Sequence, residues 1–456
     1  IDAIADYRLT DRIIASSGWS SSVQFIISSE YTFYPITNLI YATTSMLTGI
    51  PLLLVVKYLF VIKALVVTPI VDKWFKSFFP HRIAYLATVL FLASPGAILF
   101  PHKESFAVVF FFLGIYASTK FVKNRQYLLI GLISILTLIM THHFTTYIFL
   151  GLLTSLFLAG YVSRRLKTNR VSTQFFMLCW VIFVAWIAFV AWTIIAQHQK
   201  LLYKVFFEAL LPGRLTFSEL MPLYAPYERI ILYLGFGIAV ISAGLGFLNY
   251  ARNRKTRSSE FLAISLFLLP LLVVASIFRF YPGRLSILIS HRAYEFGYIA
   301  VGAFSALFFV RLFQSRKKLT LNVIVVCTIV LMIIIGPMAG AMRPGTFAKL
   351  SGVVSFRGLS LNAWMSESVA DEYVIGDRVV YILVMGYGNT RVIVNPDLFA
   401  SDDFSLPPDA LYVVTYVYMT AFYGPNAAKF DSSPYFHNIY TNGLLNTYGI
   451  SNRTSS

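Results

Sequence analysis

Residues 120–146 read KFVKNRQYLLIGLISILTLIMTHHFTT, and this one stretch carries the pattern that decides the fold. Three basic residues, Lys120, Lys123 and Arg125, precede an apolar run that ends in Thr141-His142-His143. The unit recurs along the chain. Further basic clusters stand at Lys73/Lys76/Arg82, Arg164/Arg165/Lys167/Arg170, Arg252/Arg254/Lys255/Arg257 and Arg311/Arg316/Lys317/Lys318, and the five together hold about half of the 37 Lys and Arg. Around them, apolar stretches occupy 58–74, 83–99, 104–121, 127–141, 145–163, 173–196, 228–250, 259–278, 293–311 and 320–341. Each is long enough, or nearly so, to cross about 30 Å of hydrocarbon.

Composition excludes a soluble globule: of 456 residues 57% are hydrophobic and 12% charged, where soluble domains carry about a quarter charged residues. The net charge of +17 points to anionic lipid headgroups rather than to nucleic acid. Cys179 and Cys327 both lie inside apolar runs, so they read as packing residues and not as a disulfide framework. The chain opens at Ile1 with no targeting segment, and one more span is expected upstream.

Basic residues beside spans mark the cytoplasmic side. With 164–172 inside, strict alternation across the ten stretches puts every other basic cluster inside as well. Segments 1–57, 99–104, 141–145, 197–227, 279–292 and 342–456 then face outward. The expected fold is a polytopic α-helical membrane protein with about ten transmembrane helices. Its domains are a first external loop (1–57), a transmembrane helical domain (58–341) and a small extracytoplasmic α/β domain (342–456). Within 1–57, patterns around 6–14 and 34–53, the latter broken by Gly49 and Pro51, read as interfacial helices. Segment 197–227, punctuated by Pro212, Gly213, Pro222 and Pro226, reads as a long external loop. In the tail, 362–373 reads as a helix, and 378–385, 391–394 and 411–419 read as strands, with Tyr387-Gly388-Asn389 as a turn.

The outward segments hold the polar chemistry. Asp2 and Asp6 stand four residues apart, on one face of a helix, and either can serve as general base toward an acceptor hydroxyl. Acidic residues are also simply favourable at a helix N-terminus. In Phe100-Pro101-His102-Lys103-Glu104, Glu104 is a second acid or a helix cap. His142 and His143 can donate hydrogen bonds to a phosphate or cap a helix end. Adjacent histidines on one helix point about 100° apart, which makes them a poor metal pair. Arg279, Arg284, His291, Arg292 and Glu295 form the densest group, with Arg292 and Glu295 one turn apart at the mouth of a span. Arginine matches phosphate bidentately, so Arg292 and Arg284 are candidates for a carrier phosphate, and an Arg292 to Glu295 helix lock is the structural alternative. Lys57 can snorkel to headgroups, whereas Lys63 lies two turns deeper and needs a partner. No nucleotide-binding loop, zinc-ligand spacing or nucleophile elbow appears. A donor must therefore arrive already activated, as a lipid-linked sugar does.

On these residues the chain resembles the GT-C type membrane glycosyltransferases, in particular archaeal relatives of the dolichyl-phosphate-mannose protein mannosyltransferases. Asp2 and Asp6 stand in the first external loop, where that family carries its catalytic aspartate. Pro101-His102-Lys103-Glu104-Ser105 is similar to the second external loop with its further acid, and Thr141-His142-His143-Phe144-Thr145-Thr146 to a His-bearing span end. Arg292 with Glu295 resembles an Arg-bearing helix start near the carrier phosphate, and 435–443 resembles the closing segment of archaeal members. No Trp-Trp-Asp-Tyr-Gly run occurs, a departure that speaks against transfer of a preassembled glycan to Asn.

The resemblance implies an inverting glycosyltransferase that moves a sugar, of hexosyl or mannosyl type, from a polyprenyl-phosphate carrier to an external protein, lipid or glycan acceptor. Asp2, with Asp6 and Glu104, would be catalytic. Arg292, Glu295, His142, His143, His102, Lys57 and Arg284 would bind the carrier phosphate. A divalent metal on Asp2 and Glu104 is compatible with the sequence and not required by it. A flippase of lipid-linked sugars and a non-catalytic subunit displaying its external domain are the rival readings.

Overall fold

The computed structural model describes residues 10–11, 13–14, 35–94, 103–121, 124–162, 171–191, 226–253, 258–280, 284–315, 319–341, 358–369, 372–376, 380, 391–395, 397–400, 410–416, 429–441 and 445–450. The chain divides into two compact units: Trp19–Met342, and Ile1–Gly18 together with Arg343–Ser456.

In the first unit the described helices are α1 (Ile36–Thr48), α2 (Leu52–Lys76), α3 (His81–Leu92), α4 (Lys103–Phe121), α5 (Tyr127–Ile139), α6 (His143–Val162), α7 (Thr173–Phe189), α8 (Pro226–Arg252), α9 (Ser259–Phe280), α10 (Arg284–Ser315) and α11 (Leu319–Ala341). Each of the ten apolar stretches overlaps one of α2 to α11, although α3 ends at Leu92 and α7 at Phe189, and 95–99 and 192–196 lie outside the described residues. Leu52–Lys76, His143–Tyr161 and Glu295–Gln314 are by themselves long and apolar enough to cross a membrane. Two helices begin earlier than hydropathy indicated: α2 at Leu52 rather than 58, and α10 at Arg284 rather than 293. Charged side chains such as Lys57, Arg284 and Arg292 interrupt an apolar run without interrupting a helix, because Lys and Arg are good helix formers.

Large apolar side chains lie on the outside at helical spacing: Tyr58, Ile62, Leu65 and Val66 on α2, Met177, Val181 and Val184 on α7, Ile324, Val330 and Ile334 on α11. Such stripes are stable only against hydrocarbon or another protein. Gly49, at φ 69°, ends α1 in the left-handed conformation that glycine adopts without strain. Pro51 then precedes α2.

α10 is the hub of the bundle and packs most extensively against α3, α8 and α9. Side-chain contacts give the helix directions. Lys63 lies over Phe106, and Trp74 meets Phe112 with ring centroids 5.3 Å apart, so α2 and α4 run parallel. Ser242 and Ser305 share a 2.8 Å hydrogen bond and Arg311 reaches the Asn249 carbonyl at 3.5 Å, so α8 and α10 run parallel. Phe261 of α9 bridges the two pairs, touching Trp74 and Phe79 on one side and Phe304 on the other. Lys73, Lys76, Lys120, Arg252 and Arg311 therefore collect at one end of the bundle. The starts of α2, α4 and α10, and the turn between α5 and α6, lie at the other.

The second unit is a five-stranded mixed sheet in the order β2-β1-β3-β5-β4. Its strands are β1 (Tyr373–Gly376), β2 (Arg391–Val394), β3 (Ala410–Tyr416), β4 (Phe436–Thr441) and β5 (Leu445–Ile450), with short helices α12 (Gly358–Ser368), α13 (Asp397–Ala400) and α14 (Lys429–Ser432). β1 pairs in parallel with β2 and β3, while β5 is antiparallel to β3 and to β4. Leu361, Met365, Val374, Ile375, Val413, Phe399, Phe430 and Tyr448 form its core. Tyr448 donates its hydroxyl to Asp431, and burial followed by that bond pushes its pKa up to about 12. The helix expected over 362–373 ends at Ser368, and Tyr373 opens β1 instead. β1 is central and buried on both faces, so it lacks the alternation that marks a half-exposed strand. The strand at 391–394 is β2, and that at 411–419 is β3 over its described part. The strand expected over 378–385 and the turn at 387–389 lie outside the described residues, except for Val380, which is buried and helical rather than extended.

Candidate functional site

The end of the bundle opposite the basic residues is built from α1 upward. Thr37, Asn38 and Tyr41 share one face of α1 at helical spacing and are fully buried, while Met46 and Leu47 are exposed. α1 thus buries a face that carries polar side chains. The N-terminus of α1 is tied to the α5 end by the Ile36 amide, which donates to the Met140 carbonyl at 3.4 Å. Five residues on, about 7.5 Å along the helix, the Tyr41 ring meets Phe106 of α4 edge-on at 5.6 Å. α1 thus links the Thr141-His142-His143 turn to the start of α4.

At that turn His142 is the residue before α6 and not part of it. Its Nδ1 accepts the Thr145 amide at 3.3 Å and pairs with the Thr145 hydroxyl at 2.8 Å, an N-cap built from an imidazole. With Nδ1 an acceptor from the amide, the neutral ring carries its proton on Nε2. The Thr146 hydroxyl donates to the His142 carbonyl at 2.9 Å and fixes the turn further. Because only His143 is helical, the two rings are not splayed by a helical step. They lie 5.2 Å apart and tilted by 31°. His143 also approaches Tyr147, which in turn meets Phe183 of α7.

Deeper in the bundle, Lys63 is 4% exposed and Glu295 is 2% exposed. The Lys63 ammonium stands 5.5 Å from the Phe106 ring centroid, and the Glu295 carboxylate acts on it electrostatically. Next to Glu295, Phe296 packs on Phe111 of α4 at 5.0 Å. Glu295 opens the apolar segment Glu295–Gln314 and lies in the fourth turn of a continuous helix, one turn below Arg292, with its side chain buried.

Of the residues singled out in the sequence, Lys57, Glu104, His142, His143, Arg284, Arg292 and Glu295 belong to helix starts or turns that converge on this end. For Lys57, Glu104, Arg284 and Arg292 the description stops at the helix. Asp2, Asp6 and His102 lie outside the described residues, as does the metal reading on Asp2 and Glu104. Among the described residues no three His, Cys, Asp or Glu side chains converge. Of the cysteines, Cys179 is buried packing as expected, whereas Cys327 is exposed on α11. Sequence reasoning passed over Asn38, Thr37 and Tyr41. Their spacing of one and four residues, which puts a threonine, an asparagine and a tyrosine on one face of α1, is the signal that finds them.

No protein-family model and no curated protein matches the chain. Solved structures do. The Archaeoglobus fulgidus oligosaccharyltransferase in complex with Zn and sulfate superimposes with a TM-score of 0.62 at 14% identity, over 98% of this chain and 69% of that one. The same archaeal enzyme, AglB, with an inhibitory peptide and a dolichol-phosphate, gives 0.56 at 13% identity, over 99% and 70%. ArnT from Cupriavidus metallidurans bound to undecaprenyl phosphate gives 0.57 at 10% identity, over 98% and 93%. Helices and sheet are matched along almost the whole chain, and the chain has the fold of the GT-C membrane glycosyltransferases.

Proposed function

We propose that this protein is a membrane-embedded inverting glycosyltransferase that moves a sugar, of hexosyl type, from a polyprenyl-phosphate carrier to an acceptor on the outer face of the membrane. The observation that carries the reading is the division of the helical bundle into a basic end and a polar end. Helix directions bring Lys57, Glu104, His142, His143, Arg284 and Arg292 to the end away from the basic clusters, and basic residues beside spans stay in the cytoplasm. The structures bound to dolichol-phosphate and to undecaprenyl phosphate share this fold and support a lipid-phosphate donor.

In this reading Asp2, supported by Asp6, takes the proton from the acceptor hydroxyl as its oxygen bonds to the anomeric carbon. The bond from that carbon to the phosphate oxygen breaks, and the phosphate leaves on its lipid. Arg292, Arg284, Lys57, His102 and His143 hold the carrier phosphate and stabilise the charge it gains. His142 contributes through Nε2. Glu295 balances Lys63 rather than touching phosphate, since a carboxylate would repel it. Glu104 is a second acid, and with Asp2 it would be the place for a divalent metal. The acceptor is an external protein, lipid or glycan.

The reading is tested by Asp2→Asn and Asp6→Asn in proteoliposomes supplied with a radiolabelled polyprenyl-phosphate hexose and an acceptor extract. At least one substitution is expected to lower transfer by about 100-fold or more, 100-fold being the lower end of what a general base contributes. Undiminished transfer in both would remove the assignment.

A further inference from the structure

The corner between α1 and α2 is apolar and open. Met46 and Leu47, at the end of α1, are 65% and 82% exposed, and Ile50, Leu53 and Leu54 follow them on the surface. Residues 31–56 contain no Asp, Glu, Lys, Arg or His. A helix that lies among headgroups presents a strongly polar face, rich in Lys and Arg, to the water, and this stretch has none to present. The polar side chains of Thr37, Asn38 and Tyr41 are buried instead.

The backbone of the turn makes little demand on water. Gly49 donates its amide to the Ser45 carbonyl at 2.9 Å, and Ile50 donates its amide to the Thr48 hydroxyl at 3.3 Å. Pro51 has no amide hydrogen. The Ser45 hydroxyl donates to the Ile50 carbonyl at 2.7 Å, and the Thr48 hydroxyl to the Thr44 carbonyl at 2.6 Å. The Pro51 carbonyl accepts the Leu54 and Val55 amides. Unpaired amides keep a turn out of hydrocarbon, and residues 49–51 have none.

Continuity and depth name the partner. Leu54 begins an exposed stripe that Tyr58, Val61, Ile62 and Leu65 continue at helical spacing along α2, a helix long and apolar enough to cross a membrane. Lys73, exposed at the basic end, stands twenty residues beyond Leu53. On an upright helix that is about 30 Å, the thickness of the apolar layer, and any tilt carries Leu53 deeper. We infer that residues 46–54 are a membrane-inserted corner, seated in the acyl chains at the edge of the hydrocarbon away from the basic residues. The Ile36 amide ties the other end of α1 to the Met140 carbonyl, so immersion of the corner fixes α1 at both ends. The inference does not depend on the transferase reading.

The experiment uses the full chain with Cys179 and Cys327 replaced by alanine. A bimane fluorophore is placed at Met46→Cys or Leu47→Cys, and the protein is reconstituted in phosphatidylcholine vesicles. Three quenchers are compared: iodide on both sides of the membrane, a nitroxide on the lipid headgroup, and a nitroxide high on the acyl chain. Glu367→Cys, exposed on α12, gives the aqueous reference, and Leu65→Cys, exposed midway along α2, gives the hydrocarbon reference. Iodide quenching at both corner positions is expected to be at least about fivefold weaker than at Glu367→Cys, because a charge is excluded from hydrocarbon. The acyl-chain nitroxide should quench there more than the headgroup nitroxide. Iodide quenching equal to that at Glu367→Cys would put the corner in water and overturn the inference. Stronger quenching by the headgroup nitroxide would overturn it by placing the corner among headgroups. Shielding from all three, with Leu65→Cys still quenched from the lipid, would overturn it by showing that protein covers the corner.

Discussion

The two ends of the helical bundle handle charge in opposite ways. At the basic end Lys73, Lys76, Arg82, Arg125 and Arg252 are exposed, and behind them Trp74, Phe78, Phe79, Tyr250, Phe261 and Phe304 close the interior ring against ring. Even the polar tip of Tyr250 is occupied, with its hydroxyl accepting the Ser258 amide and donating to the Ser258 carbonyl, both at 2.7 Å. At the polar end Lys63, Glu295 and His142 are inside, and Met46 and Leu47 are outside. One end is sealed and puts its charge in solvent. The other turns its charge inward, which is costly unless the interior is to bind something polar.

The sharpest way to break the contrast is at the seal. An added Cβ at Gly246 would stand 1.8 Å from the Phe304 carbonyl oxygen of α10, and backbone cannot yield as a side-chain tip does. Gly246→Val should abolish monodisperse folded protein on size-exclusion chromatography. A well-behaved variant would mean that α8 and α10 do not meet there.

A smaller effect is expected from Trp74→Ala. The indole is fully buried, and removing a buried aromatic costs about 3 to 5 kcal/mol. The melting temperature should fall markedly while the donor KM of surviving protein stays unchanged, since the residue belongs to the sealed end.

The smallest effect on stability sharpens the comparison most. His142→Ala removes the cap of α6, worth about 1 kcal/mol. His142→Asn supplies another good cap and should restore the melting temperature. If Nε2 meets the carrier phosphate, transfer by the Asn variant stays low although stability returns. Recovery of both would make His142 a cap and nothing more.

How much of this was legible in the chain follows from range. The apolar runs located the helical stretches, three of which among the described residues are long and apolar enough to cross a membrane, because helix formation and membrane transfer depend on local composition. The same reading put Glu295 at a span mouth. Hydropathy counts a charge as an edge, whereas the structure buries this one, as it does Lys63, 232 positions earlier in the sequence. From the sequence His142 reads first as a phosphate or sugar ligand and second as a helix cap, and its hydrogen bonds with Thr145 show that it is a cap at Nδ1. The polar face of α1 went unremarked because its residues are unexceptional singly and only their burial gives them meaning. The helix expected over 362–373 runs onto Tyr373, the first residue of β1, and 374–376 carry no strand signal, since a short strand buried on both faces shows no period.

By itself, then, the sequence determined that this is a helical membrane protein with its basic residues at alternate turns, for hydrophobicity and charge act residue by residue. Which helices run together, that α10 is the hub, and that Lys63 and Glu295 are both buried were decided by tertiary structure. Those outcomes depend on pairs of residues far apart in the chain, and no local pattern records which partner a buried charge will meet.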